Sequence, residues 1–486
     1  MSGAYEMVIG LETHVELRTQ SKVFCSCPNA FGAEPNTHVC PVCMGLPGAL
    51  PVFNEQALRY AAMAGMALGC HVHHRSRFDR KNYFYPDLPK AYQISQFYRP
   101  LCERGAVTVQ TSHGEKRIGI TRIHIEEDAG KLLHEGNATA LDMNRCGVPL
   151  IEIVSEPDIR SAEEAVAYLR KVRAILTYTG VSDCRMNEGS MRCDVNLSVR
   201  RPGEPFGVRT EMKNLNSFQS VERAIRAEYE RQLHALEAGE RIVQETRRYD
   251  QKTGRTSAMR RKEDSADYRY FPEPDLPEIV LTDAEMSEQR AAIPVLPDER
   301  RAQYTSRYGL SAYAAEQLTA ERWLADYFER AAELAADPAA LCNLILGEVF
   351  AQMTLRDAAH TGERGPEALP VAPEHLAALS DLIGAGRVNS STGKKILAAL
   401  FDADQDPVRY AETHDLFALT DPAALAAAAK QAIEQNPALV KSYLGGKTTV
   451  EKALMGKAMA LTRGKADAER LREALLALLS RMQREG

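Results

Sequence analysis

The sequence predicts an α+β protein: a strand-rich first half followed by an all-helical second half. Three observations carry that expectation. Strand signals recur at residues 8–17, 118–125, 150–154 and 190–199, with clean period-two alternation in the first and last. After about residue 295, Pro294 and Pro297 punctuate the chain, strand signals fade, and Ala and Leu recur at helical spacing. Asp402, Asp404, Asp406 and Pro407 then mark a second linker. The expected domains are 1–295, 296–408 and 409–486. With 486 residues, 44% hydrophobic and 26% charged, no run of 18 apolar residues and no signal-like N-terminus, the chain is expected to be cytoplasmic with no membrane partner. A net charge of −6 argues against indiscriminate nucleic-acid binding and leaves room for a local basic face.

Residues 8–17 place Ile9, Leu11, Thr13, Val15 and Leu17 on one face, and Glu12, His14 and Glu16 on the other. Side chains two apart on a strand sit roughly 7 Å from each other, so Glu12 and His14 can lean onto one cation. A solvated outer face accounts for the same residues. Cys25, Cys27, Cys40 and Cys43 follow, a C-x-C and a C-x-x-C in two close pairs. Such pairs across a long loop predict a structural zinc site over residues 25–43, with loose thiols or a redox pair as alternatives.

Asn54 is placed to cap a helix through Leu58, Ala62 and Met66 that stops at Gly69. From Asp79 to Arg99, six aromatic side chains interleave with Arg80, Lys81, Lys90 and Arg99. The run suits stacking on bases and reaching phosphates, and equally the pinning of a Pro-rich loop. Pro-Asp-Leu-Pro at 86–89 returns at 274–277, two loops of like shape. The strand at 118–125 runs into Glu126, Glu127 and Asp128. At 150–154 a single carboxylate, Glu152, sits inside an apolar strand, where it needs a partner. Ser161 and Glu164 form a capping box for a helix ending near Gly180.

Residues 190–199 put Ser190, Arg192, Asp194, Asn196 and Ser198 on one face, and Glu211, Lys213, Asn214 and Asn216 extend the same chemistry before a charge-laced helix at 218–238. Acids, imidazole, amide and guanidinium recurring on strand faces suit a divalent cation with a polyanion beside it. Residues 441–486 hold five Lys and five Arg against four Glu and one Asp. There Lys441, Lys447, Lys452, Lys457, Arg463 and Lys465 surround glycines that include Gly446, which suits RNA, although a solvated helical face explains much of the pattern. Gly446-Lys447-Thr448 imitates the end of a P-loop, but Lys441 stands where that motif needs Gly. Phosphate chemistry is therefore expected to use the acidic sheet and a metal. A zinc-ribbon RNA module would leave the strand carboxylates unexplained, and a stand-alone metal hydrolase would leave the basic tail unexplained.

Val8–Leu17, Phe78–Gln96, Ile-Glu-Glu-Asp-Ala-Gly-Lys at 125–131, Ile-Glu-Ile-Val-Ser-Glu-Pro-Asp at 151–158, Lys213–Phe218 and Tyr268–Pro274 together resemble the B subunits of the tRNA-dependent amidotransferases, the GatB/GatE family, over essentially the whole chain. The resemblance implies a mixed-sheet, glutamine synthetase-like cradle, a helical domain and a small YqeY-like helical tail. It implies ATP-dependent phosphorylation of the side-chain carboxylate of misacylated Glu-tRNA(Gln) or Asp-tRNA(Asn), then amidation with ammonia. The partners it implies are an amidase (the A chain of a heterotrimer), a small third chain (C), the misacylated tRNA and a non-discriminating aminoacyl-tRNA synthetase. By position, Glu12, His14, Glu127 and Glu152 look like the catalytic magnesium residues, and Arg192, Asp194, Glu211 and Asn214 like nucleotide-holding ones. Lys81 is expected to pair with Glu127 as a gate for ammonia. Gly446, Lys447, Lys457 and Lys465 are expected to touch tRNA, and ATP, Mg2+ and structural Zn2+ are the cofactors.

Overall fold

Alternation makes the first strand-forming stretch the spine of a nine-stranded sheet. The computed structural model describes residues 5–136, 138–261, 267–356, 365–462 and 464–485, so Arg463 of the basic tail lies outside the described residues. The strands of the sheet are β1 (Glu6–Glu16), β2 (His71–Val72), β3 (Cys102–Thr111), β4 (Gly114–Glu127), β5 (Pro149–Ser155), β6 (Met191–Arg200), β7 (Thr210–Lys213), β8 (Glu245–Asp250) and β9 (Arg255–Arg261). In space they run β9-β8-β7-β6-β1-β5-β4-β3-β2. Neighbours are antiparallel except β7 and β8, which are parallel, so the sheet is mixed.

Ile9, Leu11 and Val15 on β1 are at most 1% exposed. They share one core with α1 (Glu55–Ala67), α2 (Ala162–Thr179) and α3 (Phe218–Glu237). Each fully buried side chain of this kind contributes roughly 1.5–3 kcal/mol, so the apolar face dictates which way β1 turns. Asn54, Ser161 and Ser217 cap the three helices, accepting from Gln56, Glu164 and Ser220 N–H groups. At Gly65, α1 comes so close to β3 that a Cβ would lie 2.3 Å from the Cys102 sulfur. The even-numbered residues of β1, Gly10, Glu12 and His14, are left on the opposite face.

The two aromatic phrases are not separate loops. Asp79–Asn82 pairs on one side with Tyr92–Ser95 and on the other with Phe271–Pro272, in a small three-stranded sheet. Phe97 stacks on Tyr270 at 4.1 Å, and Arg80 makes a bidentate pair with Glu273 at 2.7 and 2.8 Å.

The chain divides into units Met1–Leu296 and Pro297–Gly486. All described elements of the second unit are helical, with two apolar cores. The helix Pro407–Thr413 buries Ala411 in the first of these cores, so the boundary expected at 408/409 falls inside a helix. The second core runs from Leu425 to Leu479. The helical run Pro338–Arg356 has the length and apolarity of a membrane span. Its Leu341, Cys342, Ile345, Val349 and Met353 are buried in the first core.

Candidate active site

Strand pairing builds the site from residues far apart in sequence. On β1, His14 stands opposite Glu152 of β5 and Arg192 of β6, while Glu12 stands opposite Asp194 of β6. Glu152 in turn faces His124 of β4. His14 Nε2 lies 3.4 Å from Glu152 and 3.8 Å from Glu126, and His124 Nε2 lies 3.6 Å from each carboxylate. Two imidazoles thus share two carboxylates at spacings longer than good hydrogen bonds, and the buried Nδ1 of His124 has no partner. Burial opposes charge on His14, but the Glu152 carboxylate at 3.4 Å, reinforced by the charge of Glu126, lifts it to about 8. Burial likewise opposes charge on Glu152 and Glu126; His124 and His14 overcome it at Glu152, and His124 with Lys81 at Glu126, holding both below the ordinary carboxylate range.

Beside this group, Glu12, Asp194 and Glu211 form a second. Asn196 donates to Glu12 at 2.9 Å, Thr246 donates to Glu211 at 2.9 Å, and Lys213 bridges Asp194 and Glu211. Burial first, and then the charge of Glu152, push the Glu12 carboxyl up. One ligand atom from each of His14, Glu126 and Glu152 lies within 4.8 Å of the others, and the same holds for Glu12, Asp194 and Glu211. Mg2+ takes oxygen ligands at roughly 2.0–2.1 Å, which the all-carboxylate set Glu12, Asp194 and Glu211 supplies, while the other set offers two carboxylates beside the His14 nitrogen.

The structure corrects the carboxylate expected beside His14. Glu127 turns to the other side of β4, where its Oε1 takes the Lys90 ammonium and the Ile94 N–H. Glu126 occupies the site instead. Ile118 and Ile120 share the core with Ile123 and Ile125, a change of parity made at the irregularity opposite Val154/Ser155. Alternation counted from Ile123 and Ile125 finds His124 and Glu126 only once that break in pairing is known. The expected Lys81–Glu127 gate is therefore absent. Lys81 sits over Tyr268 at 5.0 Å and Tyr83 at 5.8 Å; burial opposes its charge, and Glu126, Tyr270 and Glu152 raise its pKa.

Arg192 is held by Asp128 at 2.6 Å, an acid the sequence left without a role. Glu16 belongs to the same group: burial, then Asp128, push its carboxyl up to about 8 against Arg192 and Arg145. Asn214, expected to hold nucleotide, directly follows β7. Its backbone takes φ 68°, and its amide donates to the Tyr249 carbonyl at 3.4 Å. In the tail, Gly446 (φ 94°), Lys447 and Lys457 are exposed, whereas Lys465 is half-buried and paired with Asp415.

The four cysteines converge. One sulfur from each of Cys25, Cys27, Cys40 and Cys43 lies within 4.8 Å of the others, with Cys40 and Cys43 sulfurs 3.9 Å apart. A tetrahedral ion with metal–sulfur bonds of roughly 2.3 Å requires edges of roughly 3.8 Å. The Cys40 N–H points at the Cys43 sulfur at 3.2 Å. The Cys43 thiol is held down to about 4 by its hydrogen bond with Cys25, against burial, with Lys22 adding to the effect.

A family model described as the GatB/GatE catalytic domain matches residues 7–287, and one described as the GatB domain matches residues 326–479. The B subunit of the aspartyl/glutamyl-tRNA(Asn/Gln) amidotransferase of Caldicellulosiruptor saccharolyticus is 49% identical over 479 residues, 97% of this chain and 98% of the relative. Its counterpart in Oleidesulfovibrio alaskensis is 50% identical over 466 residues, 95% and 97% of the two chains. The catalytic-domain match spans every strand of the acidic face, and the relatives align almost end to end: the chain belongs to the GatB/GatE family of tRNA-dependent amidotransferase B subunits.

Proposed function

We propose that the acidic face activates the side-chain carboxylate of a glutamyl or aspartyl group carried by misacylated tRNA. A carboxylate oxygen attacks the γ-phosphorus of ATP and ADP leaves; ammonia then attacks the acyl carbon and expels phosphate, giving the amide. The observation that carries this reading is the pair of donor sets side by side on one sheet face, linked through Glu12 and His14 on β1. Mg2+ held by these residues would supply positive charge that offsets the repulsion between the two anions. His14, Glu126 and Glu152 would hold one ion, and Glu12, Asp194 and Glu211 another beside the nucleotide.

The remaining side chains position and balance charge. Lys213 keeps Asp194 and Glu211 together in spite of their repulsion. Asp128 fixes the Arg192 guanidinium next to His14, within reach of an anionic substrate. Lys81, in its aromatic box, brings a cation beside Glu126 and Glu152. Positioning of this kind supplies much of the acceleration in phosphoryl transfer.

Ammonia comes, in this proposal, from glutamine hydrolysed by a partner amidase, the A chain, with the small C chain completing a cytoplasmic heterotrimer and a non-discriminating synthetase delivering the tRNA. The four-cysteine site takes zinc, because an all-sulfur set with tetrahedral spacing suits that ion. The tail meets the tRNA body through Gly446, Lys447 and Lys457, with Lys465 behind its ion pair.

The test is phosphate release by the reconstituted trimer. Release from ATP stimulated by Glu-tRNA(Gln) or Asp-tRNA(Asn), and lost in Glu152→Gln, is expected; tRNA binding without such release sinks the kinase assignment. Which misacylated tRNA stimulates release also identifies the substrate. Removing residues 419–486, just before the Leu419–Ala466 bridge, is expected to weaken tRNA binding while glutamine hydrolysis continues. Unchanged tRNA affinity would count against the tail.

A further inference from the structure

A lysine with no exposed surface stands beside the four-cysteine site. Lys22 is 0% exposed, its Nζ 3.7 Å from the Cys43 sulfur and 3.4 Å from the Met143 carbonyl oxygen. Among the described residues no carboxylate pairs with it; Glu127, the buried acid of this neighbourhood, is taken by Lys90. The backbone around it is fastened on both sides. The Lys22 N–H donates to the Cys27 carbonyl at 3.0 Å and the Val23 N–H to the Gly147 carbonyl at 2.9 Å. The stem passes over Gly147, whose missing Cβ would lie 3.6 Å from Lys22 Cδ and 3.4 Å from Cys43 Cβ.

A buried ammonium without a counter-charge costs several kcal/mol, and the group placed to supply one beside Lys22 is the Cys43 sulfur as its thiolate. Four thiolates around a divalent ion form a dianion, which has the complementary problem. We infer that Lys22 is the counter-charge of this metal–thiolate cluster: its ammonium donates to the Cys43 sulfur, offsets half of the cluster's charge, and so governs how firmly the site retains a divalent metal. The inference rests on the assignment of a metal to the four cysteines. It also explains why so polar a side chain is buried in a loop that has other surface to choose from.

The test uses the full chain loaded with zinc alone. Lys22→Met keeps a long stem and removes the charge. Zinc is expected to pass to a competing chelator with about 10- to 100-fold lower retention, the usual consequence of removing an outer hydrogen-bond donor from a metal ligand. Thermal unfolding supplies a readout that a packing role would not move. With zinc bound, Lys22→Met should melt below the unsubstituted chain; stripped of zinc the gap should shrink, because the cysteines can take up protons once the metal is gone. Unchanged zinc retention, or a melting gap that is the same with and without zinc, overturns the inference. Should Lys22→Met fail to fold, Lys22→Gln, which keeps an N–H donor for the Met143 carbonyl without the charge, decides it by the same comparison of retention. An unsubstituted chain that binds no zinc overturns the metal assignment itself; zinc bound equally by both chains overturns the role of Lys22 alone.

Discussion

Two buried carboxylate networks on the same nine-stranded sheet differ in how completely the protein satisfies them. At one end Glu228 of α3, 0% exposed, accepts from Thr210, Arg231 and Gln232 on one oxygen, at 2.6–3.0 Å, and from Arg231 and Thr256 on the other, at 2.8–3.0 Å, with the Arg247 guanidinium as an ion pair at 3.1 Å. Nothing further fits there. At the centre, Glu126 and Glu152 share His14 and His124 at 3.4–3.8 Å, and an imidazole nitrogen is left without a partner. A carboxylate that the fold saturates is structural, whereas one held near others with loose spacing is prepared for a cation from solution.

That difference can be broken most sharply at Glu152. Glu152→Gln should cut tRNA-dependent amidation by about 10³-fold, as expected when a preorganised charge in a phosphoryl-transfer site is removed, while the melting temperature stays nearly unchanged. A large loss of stability with activity retained per folded molecule would put Glu152 with Glu228 instead.

The reverse outcome is expected at Glu228. Glu228→Ala leaves Arg231 and Arg247 without their buried partner and should cost about 3–5 kcal/mol in denaturant unfolding, with little change in the ATP KM of the folded fraction. Burial opposes its charge, but Arg231 and Gln232 hold the Glu228 carboxyl below its ordinary 4.5. A depressed folded-state pKa contributes stability that is fully present above pH 4.5 and fades as the pH falls below it. Acid unfolding curves should therefore lose that slope in Glu228→Gln.

Neighbours on β4 sharpen the contrast within two residues. Glu126→Gln should weaken Mn2+ binding, used as a spectroscopic substitute for Mg2+, by about 10- to 100-fold. Glu127→Gln should leave it unchanged and cost about 1–3 kcal/mol of stability through its Lys90 and Ile94 partners. Equal effects on metal binding would show that both acids serve the site. The smallest effect is expected at Asn214: Asn214→Ala should cost about 1 kcal/mol, because φ 68° suits Asn better than Ala, with nucleotide affinity unaltered. A rise in the ATP KM would place Asn214 in the nucleotide set.

Much of this molecule is legible in the chain itself, because the deciding physics is local. Period-two alternation sets the faces of β1 and β6, so Glu12, His14, Arg192 and Asp194 read as one polar surface. Cysteine spacing predicts a convergence that the sulfurs make, and Asn54 and Ser161 mark helix starts where they cap. The choice between Glu126 and Glu127 needed the folded sheet, since an irregularity in pairing with β5 resets the parity of β4 and depends on a strand some thirty residues on. The same is true of Lys81, which lies among tyrosines from the 268–270 segment, and of Lys22, which lies under the cysteines. Charges on a strand can be read one residue at a time; the partner that neutralises each of them comes from elsewhere in the chain, and long-range pairing is where local periodicity stops informing.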